Sequence, residues 1–154
     1  MDTLPGAEGN AKMRATTRSD RAFRVVLADD HEDVLHEIRA LLDPEFDILR
    51  SVTDGLALIE AVRESKPDVV ISDVQMPGLS GIEACRRIVQ NGSCSAAIIL
   101  TIYNDFQLVK NALQAGIRGF VLKVDAGEEL ASAVHAVLDG SVYLSHGVRR
   151  KWME

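Results

Sequence analysis

The chain has 154 residues, of which 47% are hydrophobic and 26% charged, and its net charge is −6. This length suffices for one domain with its own core, and the negative charge argues against a nucleic-acid-binding surface as the main role. No apolar run approaches the roughly 18 residues of a membrane helix, and residues 1–22 lack the apolar stretch of a secretory signal. We therefore expect a cytoplasmic protein without membrane association, whose cysteines, Cys85 and Cys94, are free thiols.

Three segments differ in composition. Residues 1–22 are small, polar and charged, and are predicted to form a disordered N-terminal extension. From Arg24 to Gly140, short apolar runs alternate with amphipathic stretches, which predicts five βα units in a folded domain over residues 23–140. Residues 141–154 are predicted to be a C-terminal tail or the start of a linker to an absent output domain.

The predicted elements alternate regularly along the domain. The strands are predicted, in chain order, at Val25–Ala28, Phe46–Val52, Asp68–Ser72, Ala97–Thr101 and Arg118–Leu122. Five helices are predicted between and after these strands. The first spans 31–43, the second begins after a cap at Asp54, and the third runs from near Gly81 to Asn91. The fourth spans 104–115, and the fifth contains Leu130 and ends at Gly140.

The strand sequences also predict the order of the sheet. The third and fourth runs are apolar at successive positions, which indicates burial on both faces, whereas the second is more polar and belongs at an edge. We predict a flavodoxin-like, doubly wound α/β fold with a five-stranded parallel sheet in the order 2-1-3-4-5 and helices on both faces. This order brings the ends of the first and third strands together, where such sheets bind ligands.

Polar residues follow or close four of these strands, namely Asp29 with Asp30, Asp73, Thr101 and Lys123. Two unit charges about 5 Å apart, at an effective dielectric constant near 20, repel by roughly 3 kcal/mol, so three adjacent carboxylates need a cation. Mg²⁺ is commonly held by one or two carboxylates together with phosphate oxygens and water. The pattern predicts Mg²⁺-dependent phosphoryl chemistry.

Asp73 is the predicted nucleophile toward phosphorus. It stands at a strand end, and Pro77, Gly78 and Gly81 keep the following loop open beside it. Lys123 would supply positive charge to the phosphoryl oxygens, and the Thr101 hydroxyl would form a hydrogen bond with one of them.

Four segments carry a family resemblance: VVLADDH, PDVVISDVQMPGLSG, ILT and GFVLK. Their order and spacing resemble the receiver domain of bacterial two-component response regulators, in the branch that usually carries a LuxR-type helix-turn-helix output. The resemblance covers the span from about Arg24 to Gly140. It implies a non-enzymatic phosphoacceptor that assists its own phosphorylation and dephosphorylation.

The resemblance also implies roles for individual residues. Asp73 would accept a phosphoryl group from a histidine kinase, and Thr101 and Lys123 would contact that group. Thr101 and Phe120 would form a two-state switch, with the hydroxyl moving toward the phosphoryl group and the aromatic ring turning inward. The implied Mg²⁺ ligands are Asp29, Asp30, Asp73 and the backbone carbonyl of Gln75.

The resemblance suggests a homodimer on phosphorylation as a hypothesis, and no direct nucleic-acid binding is expected of this chain.

Two positions depart from the common family pattern. Val124 replaces a frequent proline after the lysine, which predicts a looser loop. Ile102 replaces a frequent small residue after the threonine, so it could narrow access to the phosphoryl group and slow its turnover.

Three other functions would require different residues or leave the site unused. A haloacid-dehalogenase-like phosphatase would have a second aspartate two residues after the nucleophile, where this chain has Gln75. A nucleotide-binding fold would carry a glycine-rich phosphate loop after the first strand, where this chain has Asp29 and Asp30. A phosphorylation-independent interaction domain remains open, because Ile102 could spoil the site without disturbing the fold.

Overall fold

The computed structural model describes residues 22–152, so the predicted disordered extension lies almost entirely outside the described residues. The strands are β1 (Arg24–Ala28), β2 (Asp47–Val52), β3 (Val69–Ser72), β4 (Ala97–Thr101), β5 (Gly119–Leu122) and β6 (Tyr143–Leu144). The helices are α1 (Glu32–Leu42), α2 (Gly55–Ser65), α3 (Gly81–Gln90), α4 (Phe106–Gln114), α5 (Ala126–Leu138) and α6 (His146–Trp152), with a short 3-10 turn over Lys123–Asp125.

All neighbouring strands of the sheet are parallel, in the order β2-β1-β3-β4-β5-β6. The predicted fold and the order of its first five strands are confirmed, and β2 is the partly exposed edge strand. The predicted count of five was wrong by one strand. The two-residue β6 has no periodic pattern of its own, and it forms because it pairs with Gly119 and Phe120 of β5.

Helices cover both faces of the sheet, and each face has its own apolar cluster. Residues of α1 and α5 pack on one face, against Leu27 and Ile98 of the sheet. Residues of α2, α3, α4 and α6 pack on the other, against Val26 and Ile99. This arrangement leaves the carboxyl ends of the strands uncovered, where the loops meet. No helix in the described part of the chain is long and apolar enough to cross a membrane.

Side-chain caps set the starts of three helices. Asp54 accepts a hydrogen bond from the amide of Ala57, as the sequence predicted, and Ser80 caps α3 in the same way. Asp105 accepts from two amides and starts α4 at Phe106, two residues later than predicted. Phe106, the first residue of this helix, is 60% exposed, and its ring packs against that of Trp152 of α6.

The C-terminal segment folds back on the domain. Beyond Gly140 the chain forms β6 and α6, and both Ser145 and Val148 are fully buried. Val148 belongs to the same apolar cluster as Phe120 of β5. Residues 143–152 therefore pack as part of the domain, whereas the sequence pattern predicted a tail or linker from residue 141.

Candidate functional site

The pairing of β1 with β3 creates the site. Ala28 lies opposite Ser72 in the parallel register, so the residues that follow them, Asp29 and Asp73, leave the sheet side by side. The amide of Asp73 donates a hydrogen bond to the carbonyl of Ala28 at 2.9 Å. Asp29 and Asp73 are only 1% and 7% exposed, although both are charged residue types.

Lys123 lies between these two carboxylates. Its Nζ is 2.8 Å from Oδ2 of Asp29 and 3.3 Å from Oδ2 of Asp73. Lys123 follows β5, which pairs with β4 and not with β1 or β3, so the lysine reaches the carboxylates across the end of the sheet. A buried pair of carboxylates is costly unless a cation compensates it, and here the ammonium partly does so.

A third carboxylate and an imidazole complete the acidic cluster. Ligand atoms of Asp29, Asp30, His31 and Asp73 all lie within 4.8 Å of one another. Nδ1 of His31 is 3.2 Å from Asp29 and 3.0 Å from Asp30. Carboxylate oxygens are the ligands that Mg²⁺ prefers, so this cluster suits a hard divalent cation.

The pKa values of Asp73 and Lys123 are both raised, for different reasons. Burial raises the pKa of Asp73; the negative charge of Asp29 adds to the rise, and the positive charge of Lys123 and the amide of Val74 oppose it. For Lys123, burial lowers the pKa, but the hydrogen bond to Asp29 and the charge of Asp73 outweigh it, so the pKa is raised overall. Lys123 therefore stays an ammonium beside the phosphoacceptor candidate.

A cavity of about 280 Å³ opens above Asp73. On one side of it, the hydroxyl of Tyr103 donates a hydrogen bond to Oε1 of Gln75 at 3.2 Å. Ile102 is 68% exposed and lies on the rim. The lining residues are Asp30, His31, Val34, Asp73, Gln75, Ile102, Tyr103 and Lys123.

Thr101 and Phe120 lie below this cavity and do not line it. Thr101 ends β4 fully buried, and its Oγ1 accepts a hydrogen bond from the amide of Tyr103 at 3.2 Å. Phe120 lies in β5, paired with Ile99, and is also fully buried. The structure thus places Asp30, Asp73, Gln75 and Lys123 around one cavity, with Asp29 buried beside them, whereas Thr101 is turned to its own loop.

His31 was not among the predicted site residues, although it ends the first motif, VVLADDH. A histidine directly after two aspartates at a strand end was the available signal. The sequence does not show that the His31 amide and ring both approach Oδ1 of Asp29, at 3.0 and 3.2 Å.

Comparison with known proteins agrees with this fold. A model of the response regulator receiver domain matches residues 25–135. The chain belongs to this family, as its sequence motifs indicated, and the family's role is phosphorylation-dependent signalling in two-component systems. The known structure of a LuxR-family two-component response regulator from Aurantimonas sp. SI85-9A1 superposes with a TM-score of 0.78 at 31% identity, over 84% of this chain and 94% of that one.

Other relatives point to the same branch. The isolated receiver domain of RcsB from Salmonella enterica serovar Typhimurium, solved with the phosphomimetic BeF₃⁻, gives a TM-score of 0.75 at 31% identity and covers 84% of this chain and 98% of that one. The transcriptional regulatory protein DegU of Brevibacillus brevis is 30% identical over 82% of this chain, and LiaR of Bacillus subtilis is 33% identical over 84%. The chain spans only 54% and 62% of the lengths of these two relatives.

Proposed function

We propose that this chain is a phosphorylation-dependent switch in which Asp73 accepts a phosphoryl group from the phosphohistidine of a sensor histidine kinase. The observation that carries the proposal is the placement of the Asp73 carboxylate. It is buried at the strand end, yet it faces the cavity beside Lys123, 3.3 Å away. A carboxylate held in this way can act as a nucleophile toward phosphorus.

The transfer step needs no other covalent chemistry from the protein. A carboxylate oxygen of Asp73 forms a bond to phosphorus, and the bond from phosphorus to the donor atom breaks, which is a nitrogen in phosphohistidine and an oxygen in acetyl phosphate. The electron pair leaves with the imidazole of the kinase, or with acetate when acetyl phosphate is the donor. Lys123 stabilises the negative charge of the phosphoryl oxygens, and the amide of Val74, 2.7 Å from Oδ1, helps to orient the nucleophile.

The acidic cluster fits a bound Mg²⁺. We infer that Asp29, Asp30 and Asp73 would hold the ion with the backbone carbonyl of Gln75, because this donor set consists of oxygens and leaves room for water and phosphate. When bound, the ion supplies charge neutralisation at the phosphoryl oxygens. Asp30, whose side chain is 33% exposed, is the ligand most open to the cavity.

The response to phosphorylation is proposed to pass through Thr101 and Phe120. A phosphoryl group adds about 1.5 to 2 negative charges, and a hydrogen bond to a charged group contributes roughly 1.5 to 3 kcal/mol. That is enough to move a two-state balance of a few kcal/mol. The Thr101 hydroxyl, now held by the amide of Tyr103, would turn toward the phosphoryl oxygens, and Phe120 would repack behind it.

Intact-mass spectrometry tests the phosphoacceptor directly. The full chain is incubated with acetyl phosphate and Mg²⁺, beside Asp73→Asn and the matched control Asp139→Asn, which changes an exposed aspartate at the end of α5. One phosphoryl group should be added to the native chain and to the control, and none to Asp73→Asn or in excess EDTA. A folded native chain that gains no mass would instead favour the phosphorylation-independent interaction domain.

The proposed partners follow from this role. A histidine kinase is the phosphodonor, and transcription is the proposed output, because DegU and LiaR are transcriptional regulatory proteins and a structure of RcsB contains DNA. In this proposal, a separate output domain carries the DNA contact. Homodimerisation on phosphorylation is a further expectation, and sedimentation with and without beryllofluoride measures it.

A further inference from the structure

The C-terminal helix α6 lies against both loops that carry the proposed phosphoryl ligands. One of them follows Thr101 and leads to α4. The other follows Lys123 and leads to α5. Residues of α6 and of the turn before it form hydrogen bonds with Asn104 in the first loop and with Asp125 in the second.

Asn104 fastens α6 to the first loop at two points. Its Nδ2 donates to the carbonyl of Gly147 at 3.0 Å, and its own backbone carbonyl accepts from Nζ of Lys151 at 2.7 Å. Its Oδ1 is buried without a hydrogen-bond partner in the described part of the chain. An unsatisfied buried oxygen lowers the stability of the docked arrangement, so this attachment is easier to break than a fully paired one.

The second attachment is more complete. Oδ2 of Asp125 accepts from the hydroxyl of Ser145 at 2.7 Å and from the amide of Gly147 at 2.9 Å. The same hydroxyl accepts from the amide of Leu122 at the end of β5. This side of α6 is therefore hydrogen-bonded to the end of the sheet, whereas the hydrogen bonds on the Asn104 side go to a surface loop.

The first loop is the one that phosphorylation would move. Tyr103 stands next to Asn104, and its amide is the present partner of the Thr101 hydroxyl. If that hydroxyl turns toward a phosphoryl group on Asp73, Tyr103 must follow or lose its acceptor. A shift of Tyr103 moves the adjoining backbone carbonyl of Asn104, which is the acceptor for Lys151.

We propose that α6 is the element that transmits the state of the site: phosphorylation of Asp73 moves the loop at Asn104 and loosens the docking of α6. This inference rests on the proposed function, because it needs Asp73 to carry the phosphoryl group. It adds the path by which the switch reaches the C-terminal end of the domain. By linkage, docked α6 must oppose the phosphorylated form to the same extent that phosphorylation opposes docking.

The only tryptophan of the chain provides the readout. Trp152 lies at the end of α6, with its ring centroid 4.3 Å from that of Phe106 at the start of α4. Loosening α6 separates this pair and exposes the indole. Acrylamide quenching of tryptophan fluorescence therefore follows docking without any added label.

The first experiment measures quenching and intact mass on the same samples of the full chain, with and without acetyl phosphate and Mg²⁺. We expect quenching to increase together with the added phosphoryl mass, and to stay unchanged in Asp73→Asn. Added mass without a change in quenching would overturn the inference and leave the proposed function standing. No added mass would overturn the proposed function and this inference with it.

The second experiment tests the linkage from the other side. Asn104→Ala should increase quenching in the absence of any phosphodonor, and should bind beryllofluoride with Mg²⁺ about fivefold or more tightly than the native chain. The matched control is Asn111→Ala, because Asn111 is exposed on α4 and bonds to Gln107 rather than α6. Lys151→Met, which removes an exposed amine and leaves the core intact, should act in the same direction. Unchanged beryllofluoride affinity in both variants would overturn the inference.

Discussion

Two aspartates at the site are buried, although ionisable side chains are normally exposed to solvent. Asp29 and Asp73 are carboxylates with almost no exposed surface, and Lys123 is the cation that compensates them. The same lysine is the proposed ligand of the phosphoryl oxygens. When that group arrives, Lys123 exchanges one anionic partner for another, so its charge stays paired throughout.

Ile102 on the rim of the cavity gives the first prediction. Its exposed side chain lines the cavity together with Asp73, so we expect it to restrict the approach of water to an acyl phosphate there. Replacing it by alanine should shorten the half-life of phosphorylated Asp73 by a factor of roughly three, which corresponds to about 0.7 kcal/mol in the activation free energy of hydrolysis. The loss of phosphoryl mass with time measures this rate.

The matched control for Ile102→Ala is Val124→Ala. Val124 is 87% exposed and follows Lys123, but it does not line the cavity. Its replacement should leave the half-life unchanged. Equal half-lives in the native chain and Ile102→Ala would show that this side chain does not slow turnover.

Cys85 gives a prediction at alkaline pH. Burial raises the pKa of its thiol from 9.0 to about 12, with a smaller contribution from Cys94. The folded state therefore keeps this proton above pH 9, where the unfolded chain begins to lose it. Stability from this source is complete below pH 9 and falls as the pH rises toward 12, by up to about 1.4 kcal/mol per pH unit.

Chemical denaturation at several pH values between 8 and 11 measures that slope. In Cys85→Ala the slope should be smaller, whatever the absolute stability of the variant. A residual slope is expected from Tyr143, whose pKa is raised to about 12 by burial and by its hydrogen bond to Glu129. An identical slope in the two proteins would contradict the assignment to Cys85.

At the scale of secondary-structure elements, the position of Asp73 depends on how closely α3 approaches β3. Gly81 begins α3, and its amide donates to the carbonyl of Val74 at 2.8 Å. A Cβ on Gly81 would lie 2.9 Å from the carbonyl carbon of Asp73 and 2.6 Å from Oγ of Ser72. The glycine therefore lets the helix start directly against the strand end that carries the phosphoacceptor.

Gly81→Ala should accordingly damage stability and the site together. We expect a loss of about 3 kcal/mol in the free energy of unfolding, because the clash is with backbone atoms, and a lower extent of phosphorylation by acetyl phosphate in the protein that remains folded. Asp54→Ala is the matched control, because it also weakens the start of a helix but lies outside the site. It removes the cap of α2 at a cost of about 1 kcal/mol but should leave the extent of phosphorylation unchanged.

At the scale of the whole molecule, the domain extends beyond the five units that the sequence pattern predicted. β6 adds an edge to the sheet next to β5, and α6 places Val148 in the cluster that contains Phe120. Through these contacts, the segment after Gly140 contributes to the free energy of unfolding of the whole domain. They also place this segment next to Phe120, one of the two proposed switch residues.

Val148→Ala tests how much α6 contributes to the stability of the domain. Removing two fully buried methyl groups should lower the free energy of unfolding by about 2 kcal/mol, including the cost of the cavity left behind. Val142→Ala is the control, because this side chain is 57% exposed in the same segment and should change stability very little. Similar stabilities of the two variants would mean that α6 does not contribute to the folded core.

Much of this architecture could be predicted from local patterns in the sequence. Continuous apolar runs marked β3 and β4 as central strands, the polar composition of β2 marked an edge, and Asp54 marked the start of a helix. Residues that follow strand ends, such as Asp29 and Asp73, were expected to meet because parallel strands share one carboxyl edge. These inferences succeeded because periodicity, caps and strand ends depend on residues close together in the chain.

The remaining features depend on contacts between distant parts of the chain. β6 exists through its pairing with β5, Phe106 is covered by Trp152 rather than by the core, and Thr101 turns to the amide of Tyr103. By itself, the sequence determined the family and the order of the first five strands, and it brought Asp29, Asp73 and Lys123 to one edge of the sheet. Only the tertiary structure decided the sixth strand, the docking of α6 and the contact of Lys123 with both carboxylates, because these follow from packing and pairing energies that no local pattern encodes.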